Sequence, residues 1–522
     1  MQSSHISVQS LWPSWVVVRI TAIASLGGVL FGYDSGCISG ALPQIQESLA
    51  LDSGRSELIV STLYFGAVFG AVVGSSICDL FGRRTTILLT DVVFIIGAVC
   101  LFLSTNYADI ILGRFIVGIA VAISGIADVS YLHEISPIEI RGAIVSVNEA
   151  SISLGFLLAY VSGFIYRSAA DEEYRMIFGW AGAVAMIQFF GMINLPESPV
   201  WLDSQGRKQE SQAAQSMISG IPSTATIDPI GQPHIRDSIG SSCDQGRVKN
   251  SDGMEYHEAN DAFTQPFLNR RQSATQLFKT YRRQMIISLF LSTTQQFCGQ
   301  ASVINYAPYI FALSHNENRS VHLQTLSIGL VKFAVTVIVV LRIEKFGRRA
   351  LLLGGMFLIS IGQFFLALAF SGLDGNSDFS INGVIPHLAL PGALLVVCGY
   401  SMSFGPLGWL LTSELFPTEF RARALGMSTI VTYLCASMVT NTFLTFLSEI
   451  GASATFATYG IFNTLGMVFA FLAIPETDGK RVEQIEVSMQ EMWWWKVGDH
   501  HSQFENDYRS MSTETPRPEM TR

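Results

Sequence analysis

Apolar stretches of about 20 residues recur along the chain, each long enough to cross the roughly 30 Å hydrocarbon core of a bilayer as a helix. Twelve are read, at 16–43, 57–78, 85–104, 109–132, 145–166, 177–195, 285–312, 322–342, 350–371, 387–412, 424–447 and 454–474. The gaps between them are mostly short and carry the turn residues and most of the charge. Two gaps are long and polar: Pro199 to Arg283, and the tail after Pro475. The central stretch is too polar to bury a core of its own, so short surface helices are expected only at its ends. The first apolar segment lacks a small-residue cleavage site and runs past Gly40, which predicts a retained helix and not a removable signal peptide. The pattern therefore predicts an all-α membrane protein: an N-terminus (1–15), a six-helix bundle (16–196), a central loop (197–284), a second six-helix bundle (285–475) and a tail (476–522).

Lysine and arginine gather on one side of this layout. Arg83, Arg84, Arg141, Arg207, Lys208, Arg282, Arg283, Arg348, Arg349, Arg421, Arg423 and Lys480 share it, against Arg55, Arg167, Arg175 and Arg319 opposite. Positive residues favour the cytoplasmic face, so both termini and the central loop are expected there. The sequon at Asn318 then falls in an outward loop, a candidate glycosylation site.

The two halves repeat one another. FGRR at 81–84 recurs at 346–349, Glu134-Ile-Ser-Pro at Glu414-Leu-Phe-Pro, and Pro196-Glu197 at Pro475-Glu476, with offsets of 265, 280 and 279 residues. Each follows the same helix of its half, which marks parallel repeats with a cavity between them. The carboxylates Glu134, Glu197, Glu414 and Glu476 are topologically close to Arg83, Arg84, Arg141, Arg348, Arg349 and Arg421. Pairs among them are read as a gate at the inner mouth, closed in one state and broken in the other. The competing reading is ordinary positive-inside anchoring by solvated pairs worth about 0–1 kcal/mol each.

Composition narrows the partners. The chain is 522 residues long, 49% hydrophobic and 14% charged, with a net charge of −9, which speaks for a lipid bilayer and against nucleic acid. Its seven cysteines fall into no paired spacing, so no metal and no disulfide framework is expected. No HExxH, GxSxG or Walker sequence is present to suggest an enzyme, and no cofactor is implied. A nutrient sensor on a transporter scaffold is a further alternative.

The motifs GRR (twice), YLHEISPIEIRGA, PESPVWL, QQFCGQASVINYAPYIF, FGPLGW and PETDGKR together resemble the major facilitator superfamily (MFS) sugar porters over about residues 15–485. The resemblance is strongest to the facilitative glucose transporter family (solute carrier family 2), most like the branch of members ten and twelve. It implies the MFS fold, two pseudo-symmetric six-helix bundles, and a monosaccharide carrier working by alternating access. A hexose, glucose first, is the expected cargo, with myo-inositol or another polyol as the alternative. The plasma membrane is the expected location, with an endomembrane as the other possibility.

A sugar site needs amides and carboxylates for its hydroxyls and aromatic planes for its apolar face. By resemblance Gln295 and Gln296 match the family's paired sugar-binding glutamines, Trp409 the tryptophan that packs on the sugar, and Asn441 an asparagine of the eleventh helix. Glu149, Asn305 and Tyr400 complete the expected site. The chain departs from the usual pattern at Ala301, where relatives carry asparagine, and at Glu149 and Lys332, where they carry neutral amides. Ionisable residues at membrane depth default to function; here they are Asp34, Arg114, Glu149 and Lys332. By resemblance, an aspartate at position 34 facing Arg114 is what proton-coupled symporters carry. A carboxylate whose distance from a guanidinium changes during rocking would take up and release a proton. The open alternative is a permanent Asp34–Arg114 pair in a uniporter, with Glu149 and Lys332 balancing across the halves. Asp91 and Asp128 are assigned no role in transport, and a solvent-facing or packing position is expected for both.

Overall fold

The computed structural model describes residues 15–136, 141–166, 173–219, 226–227, 233–234, 281–313, 318–371, 386–477 and 484–485. Each expected apolar segment overlaps helix. The first holds α1 (Trp15–Ala24) and α2 (Leu26–Leu49); then come α3 (Ser53–Phe81), α4 (Arg83–Phe102), α5 (Tyr107–Ile135), α6 (Arg141–Ile165) and α7 (Tyr174–Ile193). Two short helices, α8 (Pro199–Ser204) and α9 (Lys208–Ser219), open the central stretch, as expected of its ends. The rest of that stretch lies outside the described residues, apart from the paired two-residue strands Thr226–Ile227 and Pro233–His234. The seventh segment comes in three pieces: α10 (Arg282–Phe297), α11 (Gln300–Asn305) and α12 (Ala307–Leu313). After it come α13 (Asn318–Phe346), α14 (Arg348–Phe370), the tenth segment as α15 (Ala389–Met402) plus α16 (Phe404–Leu415), α17 (Thr418–Glu449) and α18 (Ala452–Ala473).

Local chemistry sets the boundaries. Asp52 and Asn106 cap α3 and α5, accepting the N–H groups of Arg55 and Asp109 at 3.2 and 3.0 Å. Gly82 (φ +90°) and Gly347 (φ +68°) make the same turn in each half, in a backbone region closed to most other residues. Gly299 (φ +80°) breaks the seventh segment between α10 and α11. Pro43 does not stop α2, which runs on to Leu49 and not to the expected end near 43.

Packing repeats between the halves. In the first, α2 packs on α6 and α7, α3 on α5, and α4 on α5 and α7; in the second, α10 packs on α17 and α18, α13 on α15, and α14 on α15 and α18. Segment for segment these are the same pairs. The halves meet where α3 lies along α17 and α6 along α13, both antiparallel, as the pairs Glu57–Thr445 and Ser61–Asn441, and Ser153–Thr336 and Leu157–Gly329, require. That antiparallel register brings both GRR turns to one end of the molecule, the basic end. Large apolar side chains such as Phe65, Phe69, Ile187, Phe190, Leu465 and Phe471 stay exposed, as a lipid-facing surface requires.

Candidate functional site

At the basic end the repeated punctuation becomes repeated chemistry. Glu197 accepts the N–H groups of Arg83 and Arg84 at 2.9 and 3.0 Å and of Thr85 at 3.3 Å, closing the first turn of α4. Glu476 does the same for Arg348 at 3.0 Å and Arg349 at 3.3 Å on α14. A helix N-terminus has orphan donors and a positive dipole end, so a carboxylate there is well placed. Arg83 pairs with Glu134 at 2.9 Å, and Arg348 approaches Glu414 at 3.6 Å. Ser198 donates to Glu134, and Thr477 donates to Glu414 at 2.6 Å. Each of these pairs ties elements of one half to each other. Arg421 sits half-buried in the first turn of α17, and the side chain of Arg141, which opens α6, lies outside the described residues.

Between the halves, Tyr400 on α15 is a hub. Its hydroxyl accepts from Gln295 Nε2 at 2.9 Å, and its ring lies 5.3 Å from the Lys332 ammonium on α13, which also faces Phe156 at 4.9 Å. Both rings offer Lys332 a cation–π contact. Glu149 reaches in from α6: its Oε1 lies 3.1 Å from where a Cβ on Gly405 would stand, and Gln295 Oε1 stands equally close to Gly408. Two glycines of the FGPLGW segment thus open space for the carboxylate and the amide. Gln296 is buried beside Gln295, and Trp409 follows Gly408 with 43% of its surface exposed.

The broken seventh segment is gripped from both sides. On α11, Asn305 Nδ2 donates to Tyr64 Oη at 3.1 Å, and the Ile304 carbonyl accepts from Tyr160 at 3.0 Å, both from the first half. Asn441 lies apart from this cluster, exposed on α17, where its Oδ1 accepts from Ser61 of α3 at 2.9 Å. One turn on, Glu57 accepts both the N–H and the hydroxyl of Thr445 at 2.7 Å. These bonds between the halves lie in the half of the molecule away from the basic end.

Arg114 is fully buried on α5 and does meet Asp34, but through the backbone: its Nη1 donates to the Asp34 carbonyl at 2.8 Å. Both Asp34 carboxylate oxygens are buried without a hydrogen-bond partner, as are Arg114 Nε and Nη2. The two charges feel each other without being bonded side chain to side chain.

Sequence reasoning missed Tyr64, Tyr160, Phe156 and Glu57. The three aromatics carried no signal beyond apolar helix content. Glu57 could have been found as a carboxylate just inside the second apolar segment. The helix that begins at Asn318 starts at the end opposite the GRR turns; that residue's side chain is outside the described residues.

Residues 20–489 match the family model described as sugar (and other) transporter. The chain is 28% identical over 513 residues to the zebrafish (Danio rerio) solute carrier family 2, facilitated glucose transporter member 10, covering 90% of this chain and 92% of that one. It is 28% identical over 487 residues to myo-inositol transporter 2 of Schizosaccharomyces pombe, covering 93% and 83%. The structure of the proton:xylose symporter XylE bound to 6-bromo-6-deoxy-D-glucose superimposes with a TM-score of 0.68 at 25% identity, covering 92% of this chain and 100% of that one; another XylE structure is described as from E. coli. Fold, repeat and family agree: the chain belongs to the sugar (and other) transporter family, as an integral multi-pass membrane carrier and not an enzyme.

Proposed function

We propose that the chain moves a hexose across its membrane by alternating access, in symport with protons. Gln295, Gln296, Tyr400, Glu149, Asn305 and Trp409 would hold the sugar, and Asp34 would carry the proton. The observation that carries this reading is the buried Asp34 carboxylate, beside Arg114 yet bonded to nothing. A permanent structural pair would be expected to close that contact, because an unpaired buried charge is costly. The amide, phenol, carboxylate and ammonium gathered around Tyr400 suit a polyhydroxyl ligand. In this reading the basic end faces the cytoplasm, Asn318 faces outward, the halves divide at the central stretch, and the membrane is the plasma membrane. Asn441 serves the seam between the halves more readily than the sugar, given its bond to Ser61. The carboxylate–arginine pairs at the basic end would act as the gate at the inner mouth, formed in one state and broken in the other; those formed here tie elements within each half.

Uptake of radiolabelled glucose and myo-inositol into proteoliposomes, with and without an inward proton gradient, tests this for wild type and Asp34→Asn. Gradient-driven glucose accumulation that vanishes in Asp34→Asn is expected. Simple equilibration, indifferent to pH and to the substitution, would make the protein a uniporter and Asp34 a structural partner of Arg114. Accumulation of myo-inositol alone would move the cargo to polyols.

A further inference from the structure

Among the charges at membrane depth, Glu149 and Lys332 stand apart because they lie on the seam between the halves. Glu149 is on α6 of the first half and Lys332 on α13 of the second, and Ser153 donates to Thr336 across the two helices at 2.9 Å. Glu149 lies four residues before Ser153, and Lys332 four before Thr336. In antiparallel helices those steps run in opposite directions, so the two backbones are offset by about 12 Å along the seam. Neither side chain makes a hydrogen bond or an ion pair with another described residue. Asp34 and Arg114 lie on α2 and α5, inside the first half. Asp91 on α4 and Asp128 on α5 are 2% and 1% exposed, packed in that half and not solvent-facing.

Contacts place both seam charges at the Tyr400 cluster. The Lys332 ammonium lies 5.3 Å from the Tyr400 ring and 4.9 Å from that of Phe156, and the Tyr400 hydroxyl accepts from Gln295 at 2.9 Å. Gln295 Oε1 and Glu149 Oε1 each stand 3.1 Å from the Cβ position of a glycine on α16, Gly408 and Gly405 respectively. Those glycines are three residues apart and share a helix face, so the amide and the carboxylate lie side by side. Lys332 is 3% exposed and Glu149 is half-buried. An ammonium has three donors and a carboxylate about four acceptor positions. Leaving these unused away from water is costly, so both groups suit a ligand that bonds them.

We propose that Lys332 and Glu149 form a charge filter at the sugar site, which admits an uncharged polyol and refuses acidic and basic sugars. The proposal rests on the reading of the Tyr400 cluster as the sugar site. A hydroxyl both donates and accepts, so one neutral sugar can bond the ammonium and the carboxylate together and keep the site's charge at zero. A uronate satisfies Lys332 but leaves the Glu149 charge uncompensated. An amino sugar satisfies Glu149 but leaves the Lys332 charge uncompensated. A charge left over in such a site weakens binding by about 100-fold or more. Specificity here comes from what is repelled as well as from what fits.

The test uses purified full-length protein in lipid nanodiscs and reads the ligand-induced rise in Tm. Glucose, myo-inositol, glucuronate and glucosamine are titrated in mildly acidic buffer, where the amine is protonated. Wild type should bind the better neutral ligand about 100-fold or more tightly than either charged sugar. Glu149→Gln should improve glucuronate relative to the neutral ligand at least about tenfold and leave glucosamine refused; Lys332→Met should do the reverse. A purely structural role would not shift the two charged sugars in opposite directions. Should Lys332→Met fail to fold, Glu149→Gln and the wild-type panel decide. Wild type that binds glucuronate or glucosamine as tightly as the neutral ligand overturns the filter, as do wild-type ratios in the variants. Gln295→Leu separates this proposal from the reading beneath it. If that variant loses neutral binding while the charge variants keep wild-type ratios, the filter alone falls. If it binds as wild type does, or wild type binds neither neutral ligand, the Tyr400 cluster is not the sugar site and the filter falls with it.

Discussion

Glu57 should hold the halves together at the end away from the GRR turns, and its removal should open them there. Its carboxylate is 3% exposed on α3 and takes two bonds from Thr445 of α17, N–H and hydroxyl, both at 2.7 Å. Because water replaces each partner when the contact opens, an intramolecular hydrogen bond contributes about 1 kcal/mol net. On opening, however, the carboxylate regains water and the Thr445 N–H, lying inside α17, regains its own helical carbonyl. No donor is left orphaned, so the difference between states is the net value, about 2 kcal/mol for both bonds together. Glu57→Ala should then shift the equilibrium about 30-fold toward the state open at this end, so that a 1% population rises to roughly a quarter. Glu57→Gln keeps an acceptor for one of the bonds, and about 1 kcal/mol predicts a shift of about fivefold. Spin labels at the exposed Arg55 and Glu449 would report this by electron–electron double resonance, as growth of a longer distance. A Glu57→Ala distribution identical to wild type, with the fold intact, would refute the latch.

Two further predictions concern stability. Glu197→Ala and Glu476→Ala should each lower stability by about 1–2 kcal/mol, because each uncaps a helix N-terminus. Lying in separate halves, the two losses should add within about 0.5 kcal/mol, measured as Tm in nanodiscs; a loss confined to one variant would contradict the repeated geometry. Lys332→Met should destabilise by about 2 kcal/mol, since it leaves the half-buried Glu149 between the halves without its opposite charge, and Glu149→Gln on top should restore most of the loss. Failure of the second substitution to rescue would show that Lys332 matters for its contacts with Phe156 and Tyr400 and not for Glu149.

Much of the fold was legible because the bilayer imposes one length scale, and a repeat fixes topology without any knowledge of packing. All of the apolar segments overlap helices, and the motifs at Arg83, Glu134 and Glu197 land on their counterparts at Arg348, Glu414 and Glu476 down to the backbone N–H groups they cap. Helix ends were less legible. α3, α5 and α13 each run 29 residues and α17 runs 32, beyond the apolar cores, because the surplus turns emerge into polar surroundings where composition no longer marks helix. Pro43 sits inside α2 because a proline costs one hydrogen bond, which a long packed helix absorbs.

The central site was legible by residue type and not by partner. Gln295 was expected to meet sugar, but its bond to Tyr400 depends on how α10 crosses α15, which no local pattern encodes. Asn441 has the right residue type for a sugar contact, yet it lies on the seam opposite Ser61. The division between the two kinds of information has a physical basis. Residues at the basic end act on their own half and recur with it, so the repeat reveals them. Glu149, Lys332, Tyr64 and Glu57 act across the halves or at their junction, where the two copies differ in sequence. A two-fold protein that carries cargo must break its symmetry there, because one asymmetric sugar binds between two related walls. The punctuation that repeats ties each half to itself, and the residues that do not repeat are where cargo, charge and the contacts between the halves should be sought.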